Sequence, residues 1–281
     1  MAINLDKCPN CESNHVEYWG RTSGKITLHD AWSKCSDCRL IFANPLKTSE
    51  EIRTFYAQEF YETKEIDNSK SEYKVLFNWI NHLILKYQPR PKTLLEIGCG
   101  KGLFLEQFST IVQLEKVVGI EFDKKVTDQI NVNAPLEVHN DYYENIQLHE
   151  KFDVIFCWHV IEHVIDLHAF LEKIKKDSSG IVVFGTPAFG WLNEMKAFIQ
   201  RKKTVGTSSD HTFFFTQKIL IEILRSHGFE IIYKKVYVDN VNDEMSFSKN
   251  PFKAFILKSL SFIMKISTLP LFGKQIIIVK K

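Results

Sequence analysis

Residues 94–108 read "LLEIGCGKGLFLEQF". An apolar, strand-like run ends in alternating glycines, Gly98, Gly100 and Gly102, and a helix-like stretch follows. Glycine in such a loop permits a tight turn and lets the backbone approach a ligand with no Cβ in the way. The next apolar run, "KVVGIEF" (116–122), ends in Glu121. That places a carboxylate roughly twenty residues beyond the loop, where it can accept hydrogen bonds from two ribose hydroxyls. Glu96 stands two residues before the first glycine, and no GK[ST] follows. A carboxylate there repels a pyrophosphate and suits a ligand that carries an ammonium group.

From Lys92 onward, short apolar runs alternate with helical stretches: "TLLEIG", "KVVGIEF", "PLEVHN", "FDVIFCW" and "GIVVFGTP". That alternation predicts a parallel sheet with crossover helices, an α/β class. The final runs, "FEIIYKKVYV" and "KQIIIVKK", have no crossover helix between them and fit antiparallel pairing at the sheet edge. Ahead of the sheet, residues 46–90 read as a helical cap or linker. In "SEYKVLFNWINHLILKY", Val75, Leu76, Trp79, Leu83 and Tyr87 fall on one helical face.

The order of glycine loop, acidic residue and "FDVI…EHV" resembles the class I S-adenosylmethionine-dependent methyltransferases over residues 92–238. The resemblance implies a Rossmann-like seven-stranded methyltransferase sheet with its last strand inserted antiparallel. It also implies S-adenosylmethionine across the strand ends. Glu96 and the glycine loop would face the methionine end, Glu121 the ribose, and Asp141 and Tyr142 the adenine. Trp158 would close the fourth strand near the methionine part. Another nucleotide-binding chemistry, such as a dehydrogenase, is the alternative for such a loop.

"FCWHVIEHV" (156–164) then falls at the carboxyl end of the fourth strand, where open α/β sheets bind their ligands. On a helix, His159, Glu162 and His163 would share one side. A later "DHTFFF" brings His211 within reach of the same mouth. One reading makes a histidine, His159 first, the general base for methyl transfer to a hydroxyl or amine. A second makes His159, Glu162, His163 and His211 a divalent-metal site. That second reading resembles the small-RNA 2′-O-methyltransferases, although His159 stands where their first glutamate does. A third leaves the glutamate and histidine as a cap on the following helix. Cys157, between Phe156 and Trp158, reads as a buried structural thiol.

The N-terminal segment, residues 1–45, carries "CPNC" and "CSDC", with 23 residues between them. Cys8, Cys11, Cys35 and Cys38 at that spacing point to one tetrahedral, structural zinc. So short a segment needs the metal for much of its folding energy. Net charge is +2 over 281 residues, which argues against nucleic acid as a partner. No signal peptide and no membrane-length apolar run are evident, so a cytoplasmic compartment is expected.

After the fifth strand, a long aromatic and basic stretch with Arg201, Lys202 and Lys203 would shape an acceptor pocket. The cysteine-paired segment joined to this core resembles methyltransferases of bacterial surface-polysaccharide and sugar-modifying pathways. A sugar or nucleotide-sugar acceptor methylated on oxygen is therefore expected. RNA 2′-O-methylation, N-methylation of a small amine, and a non-enzymatic cofactor-binding module are the alternatives. Residues 250–270 form an amphipathic, lysine-bearing insertion in the core of residues 91–281. It would pack on the core or a second subunit, or make peripheral membrane contact.

Overall fold

A computed structural model describes residues 3–21, 27–56, 70–128, 130, 132, 134–189, 210–237 and 273–281. The basic stretch around Arg201 and the amphipathic 250–270 insertion lie outside the described residues.

Strands β1 (Val16–Arg21), β2 (Ala31–Cys35) and β3 (Ile41–Ala43) come first, then helices α1 (Ser49–Phe55) and α2 (Lys70–Tyr87). The core follows as β4 (Thr93–Ile97), α3 (Leu103–Ile111), β5 (Lys116–Ile120), α4 (Lys124–Thr127), β6 (Leu136–His139) and β7 (Phe152–Trp158). Helix α5 (Leu167–Asp177), β8 (Ser178–Ala188), β9 (Phe213–Phe214), α6 (Gln217–Ser226), β10 (Glu230–Tyr237) and β11 (Gly273–Lys280) complete it.

Seven strands form one sheet in the order β10-β11-β8-β7-β4-β5-β6. β6, β5, β4, β7 and β8 run parallel, and β11 is inserted antiparallel between β8 and β10. The central strands are buried on both faces, and their near-continuous apolar sequences reflect that. Helices start where the sequence supplies caps. Thr48 and Glu51 form a reciprocal capping box at α1, and Asp166 accepts from the Ala169 amide at 2.9 Å to open α5.

α2 packs through Phe77, Ile80 and Ile84, with Leu76, Trp79, Leu83 and Tyr87 at the flanks. Val75, placed on the same face from the sequence, is 72 % exposed. The apolar stripe is centred on Phe77, and Val75 falls at the far side of the helix.

The N-terminal strands form a second sheet, order β1-β2-β3-β9, whose fourth strand comes from far down the chain. Cys8, Cys35, Leu40 and Phe42 share one apolar core with α5, α6 and one face of the large sheet. The cysteine segment is thus built into the main body.

Candidate active site

The carboxyl ends of β4, β5 and β7 open onto a cavity of about 540 Å³. Gly98, Glu121, Asp141, Tyr142, His159 and His163 all line it, together with Tyr56, Phe122 and Asp210.

On the glycine side, Gly98, Gly100 and Gly102 all have positive φ, at 71°, 50° and 71°. A Cβ on Gly98 would collide with Val160, so the loop lies tight against the segment after β7. A Cβ on Gly100 would meet no atom within 4 Å. That position is glycine for its backbone angle and for the open space beside it, which is what a cradle for a ligand requires. Glu121 is buried and accepts from the Gly100 amide at 3.1 Å and the Asp123 amide at 3.3 Å. Burial pushes its carboxyl upward, against the pull of those amides. Glu96 is also buried, and its Oε2 has no partner. Burial, with Glu121 nearby, raises its pKa well above the ordinary range. An ammonium group would satisfy such a carboxylate.

Tyr142 stacks on Phe122, with centroids 5.5 Å apart and planes at 12°. Asp141 accepts from Arg53 at 3.0 Å, from the Tyr142 amide at 2.7 Å and from Asn145 at 3.1 Å. An aromatic platform beside a fixed carboxylate suits a nucleobase. Trp158 takes no part in the cavity lining. It stacks on Phe156 and meets Phe77 edge-on in the core shared with α2 and α3. Alternation along β7 explains the difference, since Cys157 and Trp158 must point to opposite faces of the sheet.

The histidine cluster lies on a turn and not on a helix. The His163 amide donates to the Val160 carbonyl at 2.8 Å, and α5 begins only at Leu167 with Asp166 as its cap. Glu162 and His163 are therefore not its caps. His159 has φ 55°, a left-handed conformation costly for a side-chain-bearing residue and often found where function fixes geometry. Its amide donates to the Gly185 carbonyl at 2.8 Å, which holds the turn to β8.

Glu162 is 1 % exposed. Burial raises its pKa, but the hydrogen bond from His159 and the charges of the surrounding imidazoles prevail and hold it at about 2. The ionised carboxylate can only accept, so His159 Nδ1 donates to Oε1 at 2.9 Å. In the neutral ring, Nε2 is then the free base. His163 Nδ1 lies 3.0 Å from the Asp210 carbonyl and 3.1 Å from the Tyr56 hydroxyl. A carbonyl also only accepts, so the proton sits on Nδ1 and His163 Nε2 carries the lone pair. His211 crosses His163 edge-on at 4.8 Å. Burial, then His163, lowers the His211 pKa to about 4, so it is neutral at physiological pH.

Sequence reasoning missed Tyr56, Phe122 and Asp210. Phe122 directly follows Glu121, and Asp210 directly precedes His211, so adjacency was the available signal. Tyr56 had none, because only the packing of the end of α1 against Phe122 brings it there.

The Sγ atoms of Cys8, Cys11, Cys35 and Cys38 lie within 4.8 Å of one another. Four converging thiols fit a tetrahedral thiophilic ion such as zinc.

A family profile described as a methyltransferase domain matches residues 70–234. A ubiquinone biosynthesis O-methyltransferase of Rhodopseudomonas palustris (strain TIE-1) is 31% identical over 113 residues, covering 38% of this chain and 44% of the relative. The chain thus matches less than half the length of that curated relative. Among solved structures, magnesium protoporphyrin IX methyltransferase from Synechocystis PCC 6803, with bound SAH, aligns with a TM-score of 0.55 at 11% identity. It covers 83% of this chain and 100% of that one. The cyclopropane synthase MmaA2 from Mycobacterium tuberculosis aligns at 0.50 and 17% identity, covering 73% and 83%. At these identities the structural matches establish the fold. With a profile match across more than half of its length, the chain belongs to the methyltransferase domain family.

Proposed function

We propose that this chain is an S-adenosylmethionine-dependent O-methyltransferase acting on a small-molecule hydroxyl, with His159 as proton acceptor. The observation that carries the reading is the His159–Glu162 pair. A buried, ionised carboxylate fixes the imidazole tautomer, and the ring forms part of the cavity wall. When bound, the cofactor supplies an electrophilic methyl group on a sulfonium. The glycine loop and Glu96 would hold its methionine part, Glu121 the ribose, and Asp141, Tyr142 and Phe122 the adenine. His159 Nε2 takes the acceptor proton as the new bond forms, and Glu162 stabilises the resulting imidazolium.

We assign a sugar or sugar-like ring as the acceptor. Tyr56, His163 and Asp210 gather polar groups on one wall of the cavity, an arrangement suited to neighbouring hydroxyls. The name of the relatives supplies the rival acceptor class, ubiquinone precursors. Labelled-methyl transfer to a panel of nucleotide sugars and quinone precursors tests this. Transfer to the sugars supports the assignment, and transfer confined to the quinone precursors overturns it.

A second reading rests on Glu162, His163 and His211, whose ligand atoms lie within 4.8 Å of one another. Glu162 Oε2 is buried without a partner, and the Asp210 carbonyl fixes His163 in the tautomer a metal takes. A divalent cation there would polarise the acceptor hydroxyl. Chelation that abolishes turnover while the ribbon keeps its zinc favours this reading over the imidazole base. The N-terminal cysteines we assign to one structural zinc, with no open coordination position for chemistry.

A further inference from the structure

The cysteine segment and the histidine turn are joined by one short strand. β9 pairs antiparallel with β3 through Ile41↔Phe214 and Phe42↔Phe213. The Ala43 amide donates to the Thr212 carbonyl at 2.7 Å. The other side of this segment faces the turn. The Thr212 and Phe213 amides both donate to the Glu162 carbonyl, at 2.8 and 3.0 Å. The Thr212 hydroxyl donates to the His163 carbonyl at 3.3 Å. Thr212 is fully buried, so water cannot replace these bonds.

Each cysteine knuckle grips an element next to the turn. In the second, the Cys35 amide donates to the Leu40 carbonyl and the Arg39 amide to the Cys35 carbonyl, at 2.9 and 3.0 Å. Those bonds fix where β3 begins. In the first, the Asn10 carbonyl lies 3.0 Å from His168 Nε2, and His168 belongs to α5 immediately after the turn. The thiolate cluster therefore holds both flanks of the segment that carries His159, Glu162 and His163. Among the described residues, the glycine loop makes no such hydrogen bond to it. Its loop amides are held by Ile120, Cys99 and Glu121.

We propose that the four-cysteine ribbon is a positioning element for the methyl-transfer site, and that Thr212 is the positioning residue through which it acts. The ribbon sets the place of His211 and of the Glu162 backbone, and leaves the cofactor loop alone. The inference rests on reading the histidine turn as the site of chemistry. The coupling itself can be measured without an acceptor.

The experiment is hydrogen exchange on the full-length, zinc-loaded chain and on Cys11→Ser, which removes the exposed thiol. In the variant, amides of residues 160–164 and 210–214 should exchange at least tenfold faster, together with the ribbon. Residues 94–102 should keep their rates, and S-adenosylhomocysteine should bind within about twofold of wild type. Faster exchange confined to residues 8–40 would overturn the proposal, and so would equal acceleration through the whole sheet. Thr212→Val provides the second arm, because it keeps the strand and all four thiols. With full zinc content, it should shift the imidazole resonances of His163 and His211 in a histidine-labelled spectrum and leave that of His15 in place. Unmoved His163 and His211 signals would overturn the role of Thr212. None of these readouts depends on turnover, so a wrong assignment of the chemistry would not be mistaken for failure of the coupling.

Discussion

The glycine loop and the histidine turn sit at the ends of adjacent, paired strands, β4 and β7, yet they are made in different ways. The loop is local. Its turn geometry comes from its own glycines, and its partner Glu121 ends the neighbouring strand. The turn is assembled from far along the chain. It is pinned by Gly185, Thr212 and Phe213, and it faces Tyr56 from α1. Cofactor binding should therefore respond to changes between Glu96 and Tyr142, and the chemical step to changes spread over the molecule.

Gly100→Val tests the first half most harshly. Its Cβ points into open space, so the fold should lose only the left-handed backbone cost of about 1–2 kcal/mol. Cofactor affinity should fall at least about a hundredfold, because the added methyls occupy the ligand's place. Calorimetry alongside thermal melts separates the two effects, and equal losses would remove the contrast.

His159→Ala tests the second half. Turnover should fall by about a hundredfold or more, with cofactor affinity unchanged. A variant that turns over normally would leave the cluster a structural turn.

Glu121→Ala should weaken cofactor binding by about 1–3 kcal/mol, the loss of one charged acceptor. It also frees the Gly100 amide. A smaller effect on affinity than on melting temperature would make Glu121 a strut of the loop and not a ribose ligand.

The ribbon sheet has its own pH signature. His29 is fully buried. Burial first, then Lys47 and His163, lowers its pKa from 6.5 to about 4. An imidazole kept neutral in the fold takes up protons more readily when unfolded. Its contribution is thus complete above pH 6.5 and is lost as pH falls through 6.5 toward 4. The loss should reach at most about 3 kcal/mol. His29→Leu should flatten the melting curve across that window, and an unchanged slope would refute the assignment.

How much could be read in advance follows the same division. The parallel sheet, the antiparallel last strand and the glycine loop were legible because each rests on a short pattern or on the family resemblance. The cysteine spacing was legible for the same reason. Residues 159–163 were misread as helical because a 3–4 spacing of polar side chains fits a turn of helix equally well, and only the carbonyl of Val160 decides. Which face Trp158 takes was not legible, because the face of a strand residue depends on its register in the sheet. The merging of the ribbon with the core through Phe213 and Phe214 left no local trace, since "DHTFFF" reads as a loop with aromatics. Zinc loss should therefore loosen residues 210–214 along with the N-terminal segment.

The most direct single measurement is titration calorimetry of the full chain with S-adenosylhomocysteine. The site described here requires saturable binding at one site per chain, and Gly100→Val should abolish that heat. Absence of binding to the wild-type chain would contradict the cofactor site, and with it the chemistry assigned to the histidine turn.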